Sequence, residues 1–370
     1  MRRLHFALLS FVLAVAVQPL VAATYYVGGC KIGAFGTINA AVAAVPAGSV
    51  IDLCPQTYPE QVVINKALTL QGIFSGNSSQ AVITVPSGGL ATTSSLVLGT
   101  VAAQVEVTAG PVTITNITVD GTASSNCPSS AYFGLFYASG SWGTVNEVET
   151  RNQNCNNDGF GIVAENGAGA TQSVTIENSN INNNSHIGIF ACSNQTPSTL
   201  TASIKSNYIA TSGAFGIVTY CNVGGSVSGN IVAAASGYGV WAVSPSSLVS
   251  KNTVTGGIIG IEVDGAATVS GNTINGAQYG GVVVFAAGTV TSNNISNSGS
   301  YGIWLGVSGA TIKTNIITQA PVGIEFNCNT GTVSGNTING ATTGIDTVPA
   351  AFTGINKFYN VGTARTGGAC

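Results

Sequence analysis

The chain is short of charge. Only 6% of its 370 residues are Asp, Glu, Lys or Arg, against about 25% in an ordinary globular domain. Yet 45% are hydrophobic, whereas disorder needs high charge and few apolar residues. The 49 glycines follow no every-third-residue period, which excludes a collagen triple helix. The net charge is −3 and no basic run follows the first residues, so the cationic footprint of a nucleic-acid binder is missing. There is no Cys-x-x-Cys pair, and His186 is the one histidine beyond the N-terminal run; a zinc site lacks its ligand spacing. No metal or cofactor is expected. Solubility must come from Ser, Thr and Asn rather than from charge.

What is present begins with an export signature. Arg2 and Arg3 precede the apolar run Phe6 to Val17, and small residues Val21 and Ala23 close it. That is the charged head, apolar middle and small-residue exit of a secretory signal over 1–23, with a mature start near Thr24. The run is shorter than the roughly 20 apolar residues of a membrane span; a retained anchor is the other reading. No later segment is apolar enough to span a bilayer. All eight cysteines follow the signal, an even count that points to disulfides outside the cytoplasm.

The chain then repeats itself. A pattern of β-branched, x, x, Asn, x, β-branched aligns Asn207, Asn230, Asn252, Asn272, Asn293, Asn315 and Asn336, spaced 23, 22, 20, 21, 22 and 21 residues apart. Ser179 holds the same place in an eighth copy. Eight or nine residues later comes Gly, Ile or Val, then a variable residue, beginning at Gly188, Gly216, Gly239, Gly260, Gly281, Gly302, Gly323 and Gly344. A period near 22 with short β-branched runs is a solenoid signature. The glycine density forbids helical repeats. Two or three short strands per coil remain, each stacked on its counterpart about 4.8 Å away. The repeated asparagines suit turns, where Asn tolerates the left-handed backbone. If they point inward they form a hydrogen-bonded ladder, as stacked amides do.

These features make the chain resemble the right-handed parallel β-helix proteins of the pectin-lyase-like superfamily, over roughly residues 24–348. The opening "YYVGGCKIGAFGTINAAVAAVPAGSVIDLCPQTYPEQVVINKALTLQG" resembles the first coil of secreted members. There a short helix caps the coil. Here it falls on Ile38 to Val45, with Thr37 as N-cap and Ile38, Ala41, Val42 and Val45 as its apolar face. The expected fold is all-β: a single-stranded right-handed parallel β-helix with an N-terminal capping α-helix. Its parts are the cap and first coil (24–75), the repeats (76–350, roughly ten coils in all) and a C-terminal tail and cap (351–370).

The resemblance implies an enzyme fold, and function must be argued from sites. The motifs of pectinesterases and alginate epimerases are absent. A pectate lyase would need an arginine base in its middle coils, and Arg151 and Arg365 are the only arginines after the signal. The stretch "NNDGFGI" resembles the Asn-Thr-Asp-Gly turn of polygalacturonases, which singles out Asp158. In the next coil "NNSHIGI" puts Asn184 and Ser185 where that family has a pair of aspartates. A glycosidase needs two carboxyls, so a catalytic group of Asp158, His186 and Glu165 requires all three to converge. Each also has an ordinary reading: turn former for Asp158, solvated loop residue for His186.

A second candidate is a strip. After each inward Ile or Val the next residue faces out, giving Val163, Phe190, Val218, Trp241, Glu262, Val283, Trp304, Glu325 and Asp346. Exposed aromatics among acids resemble a sugar-binding surface, so Trp241, Glu262, Trp304, Glu325 and Asp346 are the expected substrate-binding residues. Alternatively, loops cover the tryptophans, which are then ordinary apolar residues. Glu325 and Asp346, in successive coils, read as an acid–base pair, a weak calcium site or two solvated side chains. Phe160, Phe215, Tyr238 and Tyr301, just before the glycine, are expected to face the core. Stacking pairs Cys192 with Cys221 in adjacent coils. Cys30 and Cys54 bracket the cap, Cys127 and Cys155 close a loop, and Cys328 tethers Cys370.

The reading is a secreted monomer, in the periplasm or at the cell surface, that binds or processes a polysaccharide or cell-surface glycan. If it is an enzyme, it is a hydrolase, lyase or epimerase. The alternative is a non-catalytic structural or adhesive surface protein. An ice-binding face would need a regular Thr-x-Thr row, which the sequence does not display.

Overall fold

A computed structural model describes residues 22–74, 80–122, 131–167, 169–194, 199–210, 213–233, 235–245, 247–346 and 354–367. The segment from Thr268 illustrates how the repeat builds a coil. In strand Thr268–Ser270, Val269 points inward; in strand Thr273–Asn275, Ile274 does. Between them Gly271 takes φ 64° and Asn272 is buried. Gly276, at φ 75°, then turns the chain toward the third strand, Gly280–Val284. Two of the three corners of this coil are thus made by residues in the left-handed region, where glycine has no Cβ to clash.

Stacked coils form three parallel sheets, here A, B and C in chain order, of 13, 13 and 14 strands. The molecule is a parallel β-helix, deeper than the ten coils the period predicts. The early coils escaped the pattern because Ala81, Ile117 and Val148, all buried, occupy the asparagine column there. At the other end Lys357–Tyr359 and Thr363–Arg365 add further strands to sheets B and C. Ile and Val residues from all three sheets form one continuous core. No single coil could bury that face alone.

The helix Ile38–Ala44 caps the first coil, one residue shorter than predicted. Thr37 Oγ1 accepts from the Ala40 N–H at 3.2 Å. Glu60 accepts from the N–H groups of Ile38 and Asn39 at 2.8 and 3.2 Å. Its buried face, Ile38, Ala41 and Val42, covers an end that would otherwise expose apolar core and strand edge. No helix among the described residues is long and apolar enough to cross a membrane. The proposed signal, residues 1–23, lies almost wholly outside the described residues.

The asparagines form a ladder. Asn272 donates from its backbone N–H and from Nδ2 to Asn293 Oδ1, both at 2.9 Å, and Nδ2 also donates to the Val249 carbonyl at 3.0 Å. Asn207, Asn230, Asn252, Asn293 and Asn315 repeat this pattern. The row starts at Ser179, whose N–H donates to Asn207 Oδ1, and ends one coil beyond the repeat, at Asn356. The left-handed backbone expected at these asparagines falls instead on the residue before each: Ser206, Gly229, Lys251, Gly271, Ser292, Thr314 and Gly335. The bend is thereby separated from the inward amide that ties it.

Sheet C departs from a simple alternation. The glycine before each inward Ile also faces in. A Cβ on Gly281 would lie 2.7 Å from the Gly302 carbonyl oxygen and 2.3 Å from Ile295 Cγ2. Two successive inward positions reset the period, so the residue before the glycine points outward. Phe160 belongs to a second apolar cluster with Phe133, Phe136, Val163, Phe190 and Val218, apart from the central core, and Phe215 packs against it. The expectation that Phe160, Phe215, Tyr238 and Tyr301 line the core is therefore corrected: all four lie outside the central core, and the first three join the outer aromatic face.

The register of sheet A aligns Thr113, Thr144, Thr175, Ser203 and Ser226, then Leu248, then Thr268, Thr289, Thr311 and Thr332, in one outward column. This hydroxyl face lets a nearly uncharged solenoid meet water.

Candidate functional site

The outer face of sheet C gathers the aromatic and acidic side chains singled out in the sequence. Its rings run in contact from coil to coil. Phe160 meets Phe133 at 5.1 Å and the His186 ring at 5.2 Å, and His186 meets Phe215 at 5.8 Å. Phe215 stacks on Trp241 at 5.3 Å, with Tyr238 and Tyr220 against the same indole at 5.8 and 5.9 Å. Further on, Trp304 packs edge-on to Phe285 at 5.1 Å, and Tyr279 to Tyr301 at 5.3 Å. The early part of this face is roofed. Thr92–Ser95 folds back antiparallel on Gly99–Val107, and Val101 and Leu98 pack onto the aromatic cluster. Tyr220, Tyr279 and Phe285, beyond the roof, are exposed.

Asp158 and His186 meet: Oδ1 and Nδ1 lie 3.0 Å apart, at an angle outside that of a hydrogen bond. Asn156 and Asn157, both with positive φ, make the turn that presents Asp158. Glu165 does not join them. It sits at the far end of the same strand, Gly159–Asn166, buried, accepting from Ser95 Oγ at 2.7 Å and the Leu96 N–H at 2.8 Å. Burial raises its pKa above the usual carboxylate value. Its contacts latch the roof to sheet C. Asn184 is buried, and Ser185 Oγ accepts from the Gly159 N–H at 2.8 Å. Neither supplies the missing second acid.

The variable column has the predicted register: Trp241 beside Glu262, then Val283, Trp304, Glu325 and Asp346 in successive coils. Trp241 Nε1 donates to Asp264 Oδ2 at 2.8 Å. Glu262 is 6% exposed. Burial, then the charge of Asp264, pushes its pKa up to about 7. Burial first, then Glu262 and Asp264, also raises the Tyr238 phenol. Glu325 accepts from the Asn327 N–H at 2.7 Å, and Asp346 contacts the Thr366 hydroxyl. Among the described residues no group of three metal-ligating side chains converges.

Sequence reasoning missed Asp264, Phe285 and Tyr220. Asp264 follows Glu262 by two and shares its face, so alternation alone would have found it. Phe215 and Tyr238 were assigned to the wrong side because the inward glycine breaks that alternation. Shallow grooves lie elsewhere, one lined by Gln80, Asn116, Glu147, Glu149 and Asn178, another by Trp142, Thr171, Gln172 and Thr201. None of the predicted site residues lines either.

The disulfides Cys30–Cys54 and Cys192–Cys221 form as predicted, with Cα atoms 5.6 and 5.3 Å apart. Cys155 and Cys328 are also disulfide-bonded. Cys127 and Cys370, their predicted partners, lie outside the described residues.

Residues 196–291 and 256–360 match a family model described as a right handed beta helix region. Comparison with curated proteins finds no match. Among solved structures, the chain is similar to the GH136 lacto-N-biosidase from Eubacterium ramulus, at 11% identity and a TM-score of 0.60, covering 92% of this chain and 68% of that one. It is similar to the mannuronan C-5 epimerase AlgE6 A-module from Azotobacter vinelandii, at 18% and 0.52, covering 89% and 94%. The periplasmic alginate epimerase AlgG gives 11% and 0.53, covering 89% and 83%. At these identities the likeness is one of fold.

Proposed function

Because this chain is a right-handed parallel β-helix repeat protein, we propose that it binds and processes a polysaccharide along the outer face of sheet C. The carrying observation is the group of outward rings beyond the roof, Phe215, Tyr220 and Tyr238 around Trp241, followed two coils on by Phe285 packed with Trp304. Ring faces bury the apolar face of a sugar while hydroxyls stay hydrated. A chain laid along the stack meets a new platform every few coils. The similar solved structures act on saccharides by name, which supports the class and not the substrate. An extracytoplasmic location belongs to the proposal, since the two disulfides suit an oxidising compartment.

In this reading Trp241 and Trp304 anchor the glycan, with Glu262, Glu325 and Asp346 as polar partners along the column. Asp158 and His186 lie at the roofed end, as a polar terminus or a second reacting site. The test is a glycan array probed with wild type and with the Trp241→Ala, Trp304→Ala double variant, with circular dichroism to verify folding. Binding by wild type, lost in the folded double variant, supports the strip. A wild type that binds no glycan sinks it and favours the structural or adhesive alternative.

A further inference from the structure

Glu262 is the one acid on the sheet C strip that is nine-tenths buried and has no hydrogen-bond or ion-pair partner among the described residues. Its carboxylate oxygens reach solvent, while the neighbouring Asp264 Oδ1 is buried without a hydrogen-bond partner, and a buried polar atom left unpaired calls for a reason. Glu165 and Glu325, comparably buried, each accept hydrogen bonds that hold local structure. Glu262 holds nothing. Its surroundings are arranged instead like a reaction centre. On one side the preceding coil presents Trp241, with Tyr238 and Phe215 against it. On the other the next coil presents Val283, and Phe285 follows beside Asp264, its ring on Trp304. Ring platforms therefore flank the acid in both directions along the stack. Asp264, two residues on and on the same face, is fixed by the indole N–H of Trp241. One ring thus serves both as a sugar platform and as the positioner of a carboxylate.

We propose that Glu262 and Asp264 form the acid and base of a glycoside-hydrolysing centre between two aromatic sugar subsites. This rests on the strip reading and assigns it a reaction. Residues i and i+2 on one strand face are about 6.7 Å apart. That is the backbone spacing; carboxyls that keep it fall in the roughly 6.5–9.5 Å range of inverting glycosidases rather than the 5–5.5 Å of retaining ones. Glu262, held protonated near neutral pH by burial and by the Asp264 charge, donates its proton to the bridging glycosidic oxygen. The bond from that oxygen to the anomeric carbon breaks. Water attacks the anomeric carbon from the opposite face; its oxygen forms the new bond and its proton passes to Asp264. Proton return through solvent from Asp264 to Glu262 restores the starting state. The charged or titratable groups facing Glu262 are Asp264 and Tyr238; Trp241 and Val283 on the neighbouring coils do not titrate.

The experiment takes full-length mature protein and measures reducing-end release from every polysaccharide bound on the array. Wild type should release reducing ends with the product anomer inverted, and activity should fall above about pH 7 as Glu262 ionises. Glu262→Gln should cut turnover by about 10²–10⁴-fold, with glycan affinity falling far less because the rings remain. Asp264→Asn should do the same. Asp264→Asn should also lower the Glu262 side-chain titration midpoint, followed by carboxyl ¹³C NMR without substrate. Wild type that binds a glycan but releases no reducing ends overturns the pair and leaves the strip standing. Absence of any binding overturns both. Full turnover in Glu262→Gln, a retained anomer, or a Glu262 midpoint at the ordinary glutamate value each overturns the assignment.

Discussion

The Trp241 indole N–H donates to Asp264 of the following coil at 2.8 Å. Residues 23 apart in the chain are thereby joined across one coil step. This bond ties the aromatic column to the acidic side chains of the next coil.

Because burial first, and then the charge of Asp264, raises the Glu262 pKa, stability should depend on pH. The Glu262 pKa rises from 4.5 to about 7 on folding, so the folded state holds a proton that the unfolded state releases. Stability from this group is full below about pH 4.5 and is lost as pH rises toward 7. The loss is at most about 3 kcal/mol at 1.36 kcal/mol per pKa unit. Urea melts at pH 4.5, 6 and 8 should register it, and the Glu262→Gln variant should flatten the difference. An unchanged wild-type slope relative to that variant would count against a neutral Glu262.

Asn272→Leu should be among the costliest single changes. It strips the acceptor from the N–H and Nδ2 of Asn252 and the side-chain donor from the Val249 carbonyl, while Asn293 Oδ1 keeps only the backbone N–H of residue 272. Each buried group left unpaired costs about 1–3 kcal/mol. Asn315→Leu should behave alike, while Asn356→Ala, at the partly exposed end of the row, should cost less. Equal melting temperatures for all three and the parent would rule out the ladder as a source of stability.

Gly281→Ala should cost about 1–3 kcal/mol by overpacking. The added methyl meets the Gly302 carbonyl oxygen, which belongs to the sheet and cannot rotate aside. Chemical denaturation compared with Gly276→Ala, whose Cβ would meet nothing within 4 Å but whose φ is 75°, separates packing cost from backbone strain.

Thr314→Gly should stabilise the protein by about 1 kcal/mol. Thr314 holds φ 55° in a column where Gly229, Gly271 and Gly335 do the same work. A β-branched residue is strained there. The gain from relieving that strain is partly offset by the lost contacts of its hydroxyl with Thr291 and Ser292. A lowered melting temperature would mean that those contacts outweigh the strain.

A peptide map of the non-reduced protein should link Cys155 to Cys127 and Cys328 to Cys370, besides the Cys192–Cys221 and Cys30–Cys54 bridges. A Cys155–Cys328 peptide would show that the two ends are stapled differently.

Much of this molecule was legible in the sequence because a solenoid is nearly one-dimensional. Contacts run between equivalent positions of successive repeats, so the period near 22 determined the coil, the Cys192–Cys221 bridge and the order Trp241, Glu262, Val283, Trp304 down the column. The inward asparagine followed from its recurrence. What the tertiary structure alone decided lies where alternation or repetition stops. Gly161 and its counterparts face inward beside the inward Ile because a corner there admits no Cβ, and this turns Phe160, Phe215 and Tyr238 outward, against the period-two expectation. The first coils, with Ala81, Ile117 and Val148 in place of asparagine, bear no local signature. The fate of Glu165 depended on Ser95 and Leu96, about 70 residues away in sequence, folding back over it. Glu262 and Glu165 are both buried acids on one sheet face; only the roof, which gives Glu165 its hydrogen bonds and leaves Glu262 without any, distinguishes a structural latch from a candidate acid.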